Sequence, residues 1–320
     1  MSEKQIISKN SDLLFLYDAE MCNPNGDPDN ENKPRMDYLT STNLVTDVRL
    51  KRYIRDYMEK YKKKSLYLTN PEGIVLNATN RLKFYLWRKN NPQKEYNEED
   101  MKKEKPEEIS TSQYLEYFDD IRLFGVTCPI KPKEEGQKGS SVTFTGPVQF
   151  NWGKSLNEVE IVDSSGITTH LSSESGSQGS MGQDFRVHYS LIAFHGIVNS
   201  KRAELTKMTS EDLQLLEESL IKSIPLLATR SKVGQQPRLF FRIEYKNNNH
   251  SIGDLRKYLS LENTKGLRSI QDVQLDNTKL MDKIKSNKDI IARVRYWIDP
   301  LLKFTKEIPK NELFEEIKIE

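Results

Sequence analysis

Leu13-Leu14-Phe15-Leu16-Tyr17-Asp18 is the stretch from which the fold class can be read. Five apolar residues in succession leave no solvent face, so the run reads as a central strand buried on both sides and ended by a carboxylate. A loop over 20–37 follows, rich in Asn, Pro, Gly and Asp. Its Asn25-Gly26 and Asp27-Pro28 pairs form turns, because Asn and Gly tolerate positive φ while Pro fixes its own. From 44 to 61 the pattern turns helical, with Leu50, Ile54, Tyr57, Met58 and Tyr61 on one face.

Further along, 141–150 and 185–195 read as strands, and 209–228 as a helix. That helix opens on Thr209-x-x-Asp212, a capping-box pattern, and carries Leu213, Leu216, Leu220, Ile224 and Leu227 as its apolar stripe. Arg238-Leu239-Phe240-Phe241-Arg242-Ile243-Glu244-Tyr245 alternates. Leu239, Phe241, Ile243 and Tyr245 face one way; Arg238, Arg242 and Glu244 face the other, with Phe240 as a candidate sheet-surface aromatic. Residues 251–320 read mostly as amphipathic helix, including 290–298. The order β-α-β-β-α-β predicts an α+β, ferredoxin-like arrangement, which RNA-recognition domains also use. The charged, proline-punctuated segment 90–109 reads as an exposed insertion, and 163–182, with seven Ser and four Gly, has too little apolar surface to fold alone. One decorated domain fits the 320 residues.

The formal net charge is only +2, so a polyanionic partner would have to be held by local patches rather than bulk basicity. Residues 49–64 hold eight basic side chains against Asp56 and Glu59. Helical geometry places Lys51, Arg55 and Lys62 on one stripe beside the apolar face, where they can reach a phosphate chain. The plain alternative is a solvated helix face. A second patch, Thr229-Arg230-Ser231-Lys232-Val233-Gly234-Gln235, combines cations with a glycine loop whose amides suit a phosphate; otherwise it is an ordinary connection.

Catalytic and metal chemistry find little support. Asp27-x-Asp29-x-Glu31 resembles the start of a calcium loop, but Asn32 and Tyr38 stand where Gly and Glu are required. No Ser/His/Asp set or phosphate-binding glycine motif is present, so neither a catalytic residue, a metal nor a cofactor is expected. Cys22 and Cys128 are too few for a disulfide framework and read as reduced, partly buried thiols. The polar 1–12 segment has no signal-peptide core, and no run reaches the ~18 apolar residues of a membrane span. A cytoplasmic protein without membrane contact is the expectation.

Several strings together carry a family resemblance: Asn23-Pro24-Asn25-Gly26-Asp27-Pro28-Asp29, Asn43-Leu44-Val45-Thr46-Asp47-Val48-Arg49-Leu50-Lys51-Arg52-Tyr53-Ile54-Arg55, Asp120-Ile121-Arg122-Leu123-Phe124-Gly125, Thr145-Gly146-Pro147-Val148-Gln149-Phe150 and Gly179-Ser180-Met181-Gly182-Gln183-Asp184-Phe185-Arg186. They resemble the backbone subunit of the CRISPR Cascade complex, the seventh Cas protein of the RAMP superfamily, most closely its type I-B form. The resemblance implies a hand-like single domain. Its palm would be 12–61, 120–150 and 185–245, its fingers 62–119 and its thumb hairpin 152–184, followed by a helical region over 251–320.

It also implies copies stacked along a guide RNA, each thumb kinking the guide at regular intervals, with the exposed spacer pairing to a target DNA strand among other Cascade subunits. The RNA-binding set would be Asn25, Arg35, Arg49, Lys51, Arg52, Arg55, Met181, Arg230 and Lys232, with Met181 as the wedge between bases. Residues 146–195 hold only Lys154 and Arg186 against five acids, so such a thumb would wedge rather than grip phosphate. The competing reading is a metal-dependent endoribonuclease of the type III kind, in which Asp27 would hold the position of the cleaving aspartate. The local motif looks like the type I version, which implies no such activity.

Overall fold

The apolar run forms the middle of a twelve-residue strand, β1 (Ser11–Cys22), whose side chains from Leu13 to Tyr17 are essentially without solvent contact. The computed structural model describes residues 5–105, 111–130, 140–162, 166–168 and 181–319. After β1 come β2 (Met36–Asp37), β3 (Thr42–Val45) and the helix α1 (Asp47–Lys60). Then follow α2 (Ala78–Asn90), α3 (Glu98–Lys102), α4 (Thr111–Tyr117) and α5 (Asp119–Phe124). Next are β4 (Gly125–Ile130), β5 (Ser140–Thr145), β6 (Gly153–Ser155), β7 (Gly166–Thr168), β8 (Met181–Gln183) and β9 (Val187–Val198). The chain finishes with α6 (Ser200–Thr206), α7 (Ser210–Leu226), β10 (Gln235–Tyr245), α8 (Thr278–Ser286), β11 (Ile291–Ile298) and β12 (Phe314–Glu316).

The chain divides into two compact units. The larger comprises Lys9–Tyr57, Phe150–Val198 and Leu216–Glu320. It contains a mixed sheet in the order β12-β11-β10-β1-β9-β6-β3-β2. β1 pairs antiparallel with β9 along one edge and with β10 along the other, Phe15 standing opposite both Phe194 and Phe240. One face of the sheet holds Leu14, Leu16, Leu191, Ala193, Leu239, Phe241 and Ile243, covered by Leu255, Leu267, Leu275, Leu280 and Ile284 of the C-terminal region. Asp12 ties that region down, accepting hydrogen bonds from Tyr245, from Ser251 and from the Ile252 amide.

The smaller unit comprises Met1–Ser8, Met58–Gln149 and Asn199–Leu215. Its helices pack around Tyr67, Leu82, Tyr114, Leu115, Phe118 and Ile121. Gly125 has φ +73, and a Cβ there would lie 2.1 Å from the Phe144 carbonyl oxygen, so only glycine lets α5 pass directly into the β4–β5 hairpin. The capping box at α7 forms: the Asp212 amide donates to Thr209 Oγ1 (3.3 Å) and the Thr209 amide to Asp212 Oδ2 (2.9 Å).

Several expectations need correction. The 290–298 segment is strand β11, paired with β10 from Leu239 to Tyr245, and 251–319 holds a single α-helix, α8, among short strands and turns. The expected helical C-terminal region is therefore mostly turns and irregular chain between short strands. Phe240 is fully buried and Arg242 only 3% exposed, so the polar side of β10 is no surface. Glu217 of α7 lies 2.5 Å from Arg242 and 3.0 Å from Arg295, which neutralises that face. The helix expected from 44 starts at Asp47, because 42–45 is claimed by the sheet, and Tyr61 lies past its end. The 141–150 segment is not one strand: its residues up to Thr145 pair with β4 in a separate hairpin, and Val148–Phe150 is a short strand of its own. Residues 153–162 are stitched to β9, with the Leu156 amide donating to the Leu191 carbonyl (2.8 Å) and the Val162 amide to the Arg186 carbonyl (2.8 Å).

Glu217→Ala would remove the buried carboxylate shared by Arg242 and Arg295, leaving each with one remaining acid, Glu244 and Glu315. It should cost about 2–3 kcal/mol, the loss of charge-assisted hydrogen bonds from a buried carboxylate. Chemical denaturation checks this, and a loss under about 1 kcal/mol would show that water reaches the pair.

Candidate nucleic-acid interface

At the end of β1 the chain enters its Asn/Pro/Gly loop, which folds back on itself. The Asn23 side chain donates to the Asn32 carbonyl (2.7 Å), and Asp27 caps the short 3-10 turn Pro28–Asn30. Arg35 Nη2 lies 3.0 Å from Asp27 Oδ1, and the Arg35 amide donates to the Asn25 carbonyl (3.1 Å). Asn25 Oδ1 in turn accepts from the Thr46 amide (2.9 Å) and the Thr46 hydroxyl (3.0 Å), and Thr46 Oγ1 accepts from the Arg49 amide (3.2 Å). The loop thus supplies the cap of α1 from more than a turn away in sequence. Asn25 is a positioning residue.

This cap places Arg49, whose guanidinium lies 4.0 Å from the centroid of the Tyr53 ring. A second loop arrives from the other side. Gln235 Nε2 donates to the Tyr53 hydroxyl (3.1 Å) and to the Lys232 carbonyl (3.0 Å). The Glu20 amide donates to the Gly234 carbonyl (2.8 Å) and the Asn23 amide to the Ser231 carbonyl (2.9 Å). Gly234 has φ +105 and a Cβ there would sit 2.2 Å from the Glu20 carbonyl oxygen, so the approach requires glycine. The Lys232 ammonium donates to the Asn23 carbonyl.

Arg49 and Lys232 are therefore near neighbours of the same sign. Burial, and then the Arg49 charge, lower the Lys232 amine to about 8. Neither is ion-paired with a carboxylate among the described residues. Arg49 Nε, Arg35 Nε and Asn23 Oδ1 are buried with no hydrogen-bond partner. Two adjacent cations with spare donors and no counter-charge are what a phosphate oxygen needs. Arg186 closes one side, donating to the Met21 carbonyl (2.8 Å) and pairing with Asp184 (2.7 Å).

The other sequence-derived residues divide. Arg230 is exposed and lies 3.3 Å from Asp184. Arg52 is paired with Asp56 (2.9 Å) and Lys51 with Asp47 (3.0 Å), both one turn away on α1. Arg55 is buried and Lys62 lies past the end of α1, so the expected stripe presenting Lys51, Arg55 and Lys62 to a phosphate chain does not form. The backbone of Met181 pairs with Thr168 in the β7–β8 hairpin, and its side chain lies outside the described residues, as does that of Cys128. Cys22 is buried and free, its thiol pushed up to about 12 by burial. Tyr53, Gln235 and Arg186 escape a reading of basic runs; the aromatic ring one turn after Arg49 is the signal that could have found the first. Among the described residues no group of three or more His, Cys, Asp or Glu side chains is placed to hold a metal ion.

Residues 9–278 match the family described as CRISPR-associated protein Cas7. A curated relative of that same description from Haloferax volcanii is 33% identical over 296 residues, covering 88% of this chain and 84% of its own length. A solved chain from a CRISPR RNA-guided surveillance complex, pre-nicking, superposes with a TM-score of 0.51 at 11% identity, covering 97% of this chain and 96% of that one. Another chain, from a CRISPR RNA-guided surveillance complex, gives 0.50 at 13% identity, covering 97% and 95%. At those identities the two structures speak for the fold.

The lowered Lys232 amine has a consequence for stability. Its folded value, about 8, lies below the unfolded value near 10.5, so between these the unfolded chain binds the extra proton and stability should rise with pH. The rise begins near pH 8 and is complete above pH 10.5. Unfolding of the wild type and of Lys232→Met across that window should show the rise only in the wild type; parallel curves would mean the amine is not confined.

Proposed function

The chain belongs to the CRISPR-associated protein Cas7 family, and on that premise we propose that it is the repeating, non-catalytic backbone subunit of a type I Cascade complex of the I-B kind. It coats a guide RNA with successive copies, leaving the spacer free to pair with a target DNA strand, in contact with other Cascade subunits. The single observation that carries this reading is the Arg49–Lys232 pair, two confined cations without a carboxylate at the end of the central strand. Contacts of this kind hold phosphate without regard to base, as a subunit that must accept any guide requires.

The palm reading rests on the neighbour order β10-β1-β9-β6, all antiparallel, with α1 after β1 and α7 after β9, the order of a ferredoxin-like sheet. The fingers would be the helical segment 62–119, and the thumb the hairpin around β7 and β8, with Met181 inserting between bases. Asp27 serves the loop: it caps a turn and pairs with Arg35, a role that needs no metal. No described helix is long and apolar enough to cross a membrane; a cytoplasmic location follows from the proposed partners.

Expression with and without a CRISPR array, followed by mass and RNA profiling, tests the reading. The expected product carries several copies per RNA of uniform length, and an RNA-free monomer in the presence of the array would overturn it. Arg49→Ala with Lys232→Ala should weaken binding equally across guides and flatten the salt dependence by about 1.4 log units per decade, two single-strand phosphate contacts at about 0.7 each. An unchanged slope would remove these residues from the interface. Asp27→Ala should leave RNA as intact as the wild type does with Mg²⁺ present; Mg²⁺-dependent cutting by the wild type alone would establish the endoribonuclease instead.

A further inference from the structure

Three exposed apolar side chains lie on the segments that carry Arg49 and Lys232 or are bonded to them, where an ionic contact alone would call for none. Met21 is 46% exposed, Val48 67% and Val233 61%. Each is on backbone that is held. Met21 adopts the left-handed conformation, φ 47, with its carbonyl clasped by Arg186 (2.8 Å), and bulky residues occupy that region only when their surroundings enforce it. The bonds from the Glu20 amide to Gly234 and from the Asn23 amide to Ser231 bracket Met21 against the loop that carries Val233. The Val233 amide is itself bonded to the Thr229 carbonyl (2.8 Å). Val48 lies in the first turn of α1, next to Arg49 in sequence.

A single strand presents one phosphate and one flat, largely apolar base per nucleotide. A surface that fixes the phosphate with cations therefore has the base within reach, and apolar side chains cover any base because they carry no hydrogen-bonding code. We infer that Met21, Val48 and Val233 form a ledge that packs against the base of the nucleotide whose phosphate meets Arg49 and Lys232. This rests on the RNA-binding reading above and adds a second, non-ionic component to it. The ledge holds the strand at a set distance from α1 while leaving the base's pairing edge unread.

The two components separate in a salt titration, since only lost phosphate contacts change the slope. Full-length wild type, a Met21→Ser/Val233→Ser variant and Arg49→Ala would be titrated with a short single-stranded RNA and with the same oligomer made abasic. The ledge variant should bind the intact oligomer about five- to tenfold more weakly, a modest packing loss for one base, with the salt slope unchanged, whereas Arg49→Ala flattens the slope. The wild type should discriminate against the abasic oligomer by a similar factor and the ledge variant should not. Met21→Leu, which keeps the apolar contact, should bind as the wild type does, separating loss of contact from loss of fold. Equal affinity of ledge variant and wild type for the intact oligomer would overturn the inference, as would an equal penalty on both oligomers. Normal short-oligomer binding with failed association of copies on long RNA would assign the ledge to a second copy instead. Absence of RNA binding by the wild type would overturn the RNA reading itself.

Discussion

β1 is bonded along both edges and buried on both faces, and the position of its last residues is thereby fixed to the register of two neighbours. Eleven of its residues have partners on β9 and nine on β10. A slip by one residue would turn every side chain to the wrong face, exchanging Leu14 and Leu16 for Phe15 and Tyr17 against different layers. The loop carrying Asn23, Asn25 and Arg35 leaves from this end, and the loop carrying Lys232 and Gly234 is hydrogen-bonded back to it. The candidate interface joins two loops to the first turns of α1, and the loops inherit the rigidity of the strand.

The same chain shows how a nearly neutral protein keeps a few positive charges available. Many of its basic residues are answered at short range, Lys51 by Asp47, Arg52 by Asp56, Arg186 by Asp184, Arg242 by Glu217. The exposed pairs among these contribute little to stability, but each pair removes a cation from the pool that a polyanion can use. Arg49 stands over an aromatic ring and Lys232 against a carbonyl, partners that do not neutralise them. At the end of β1 the acid is missing among the described residues, and that, rather than the density of base, leaves charge for a phosphate.

That distinction explains what could be read beforehand. β1, the capping box of α7 and the alternation of β10 are local patterns, and each forms where the pattern places it. β11 deceived because Ile290, Ile291, Val294, Trp297 and Ile298 recur at helical spacing; pairing with β10 overrode the period, although its β-branched and aromatic content favoured strand. The burial of Arg55 was hidden because a charge run says nothing of which members lie inward. The meeting of Arg49 with Lys232, and of Asn25 with Thr46, joins residues remote in sequence, and only the paired strands bring them together.

The confinement of Lys232 also reaches beyond affinity. An amine with a folded value near 8 is partly uncharged in mildly alkaline solution, and a phosphate beside it would draw it back to the ammonium form. Each subunit that lands on RNA would then take up a fraction of a proton from the buffer. The heat of filament growth would carry the buffer's own ionisation enthalpy, multiplied by the number of copies, and calorimetry in two buffers could count the subunits engaged.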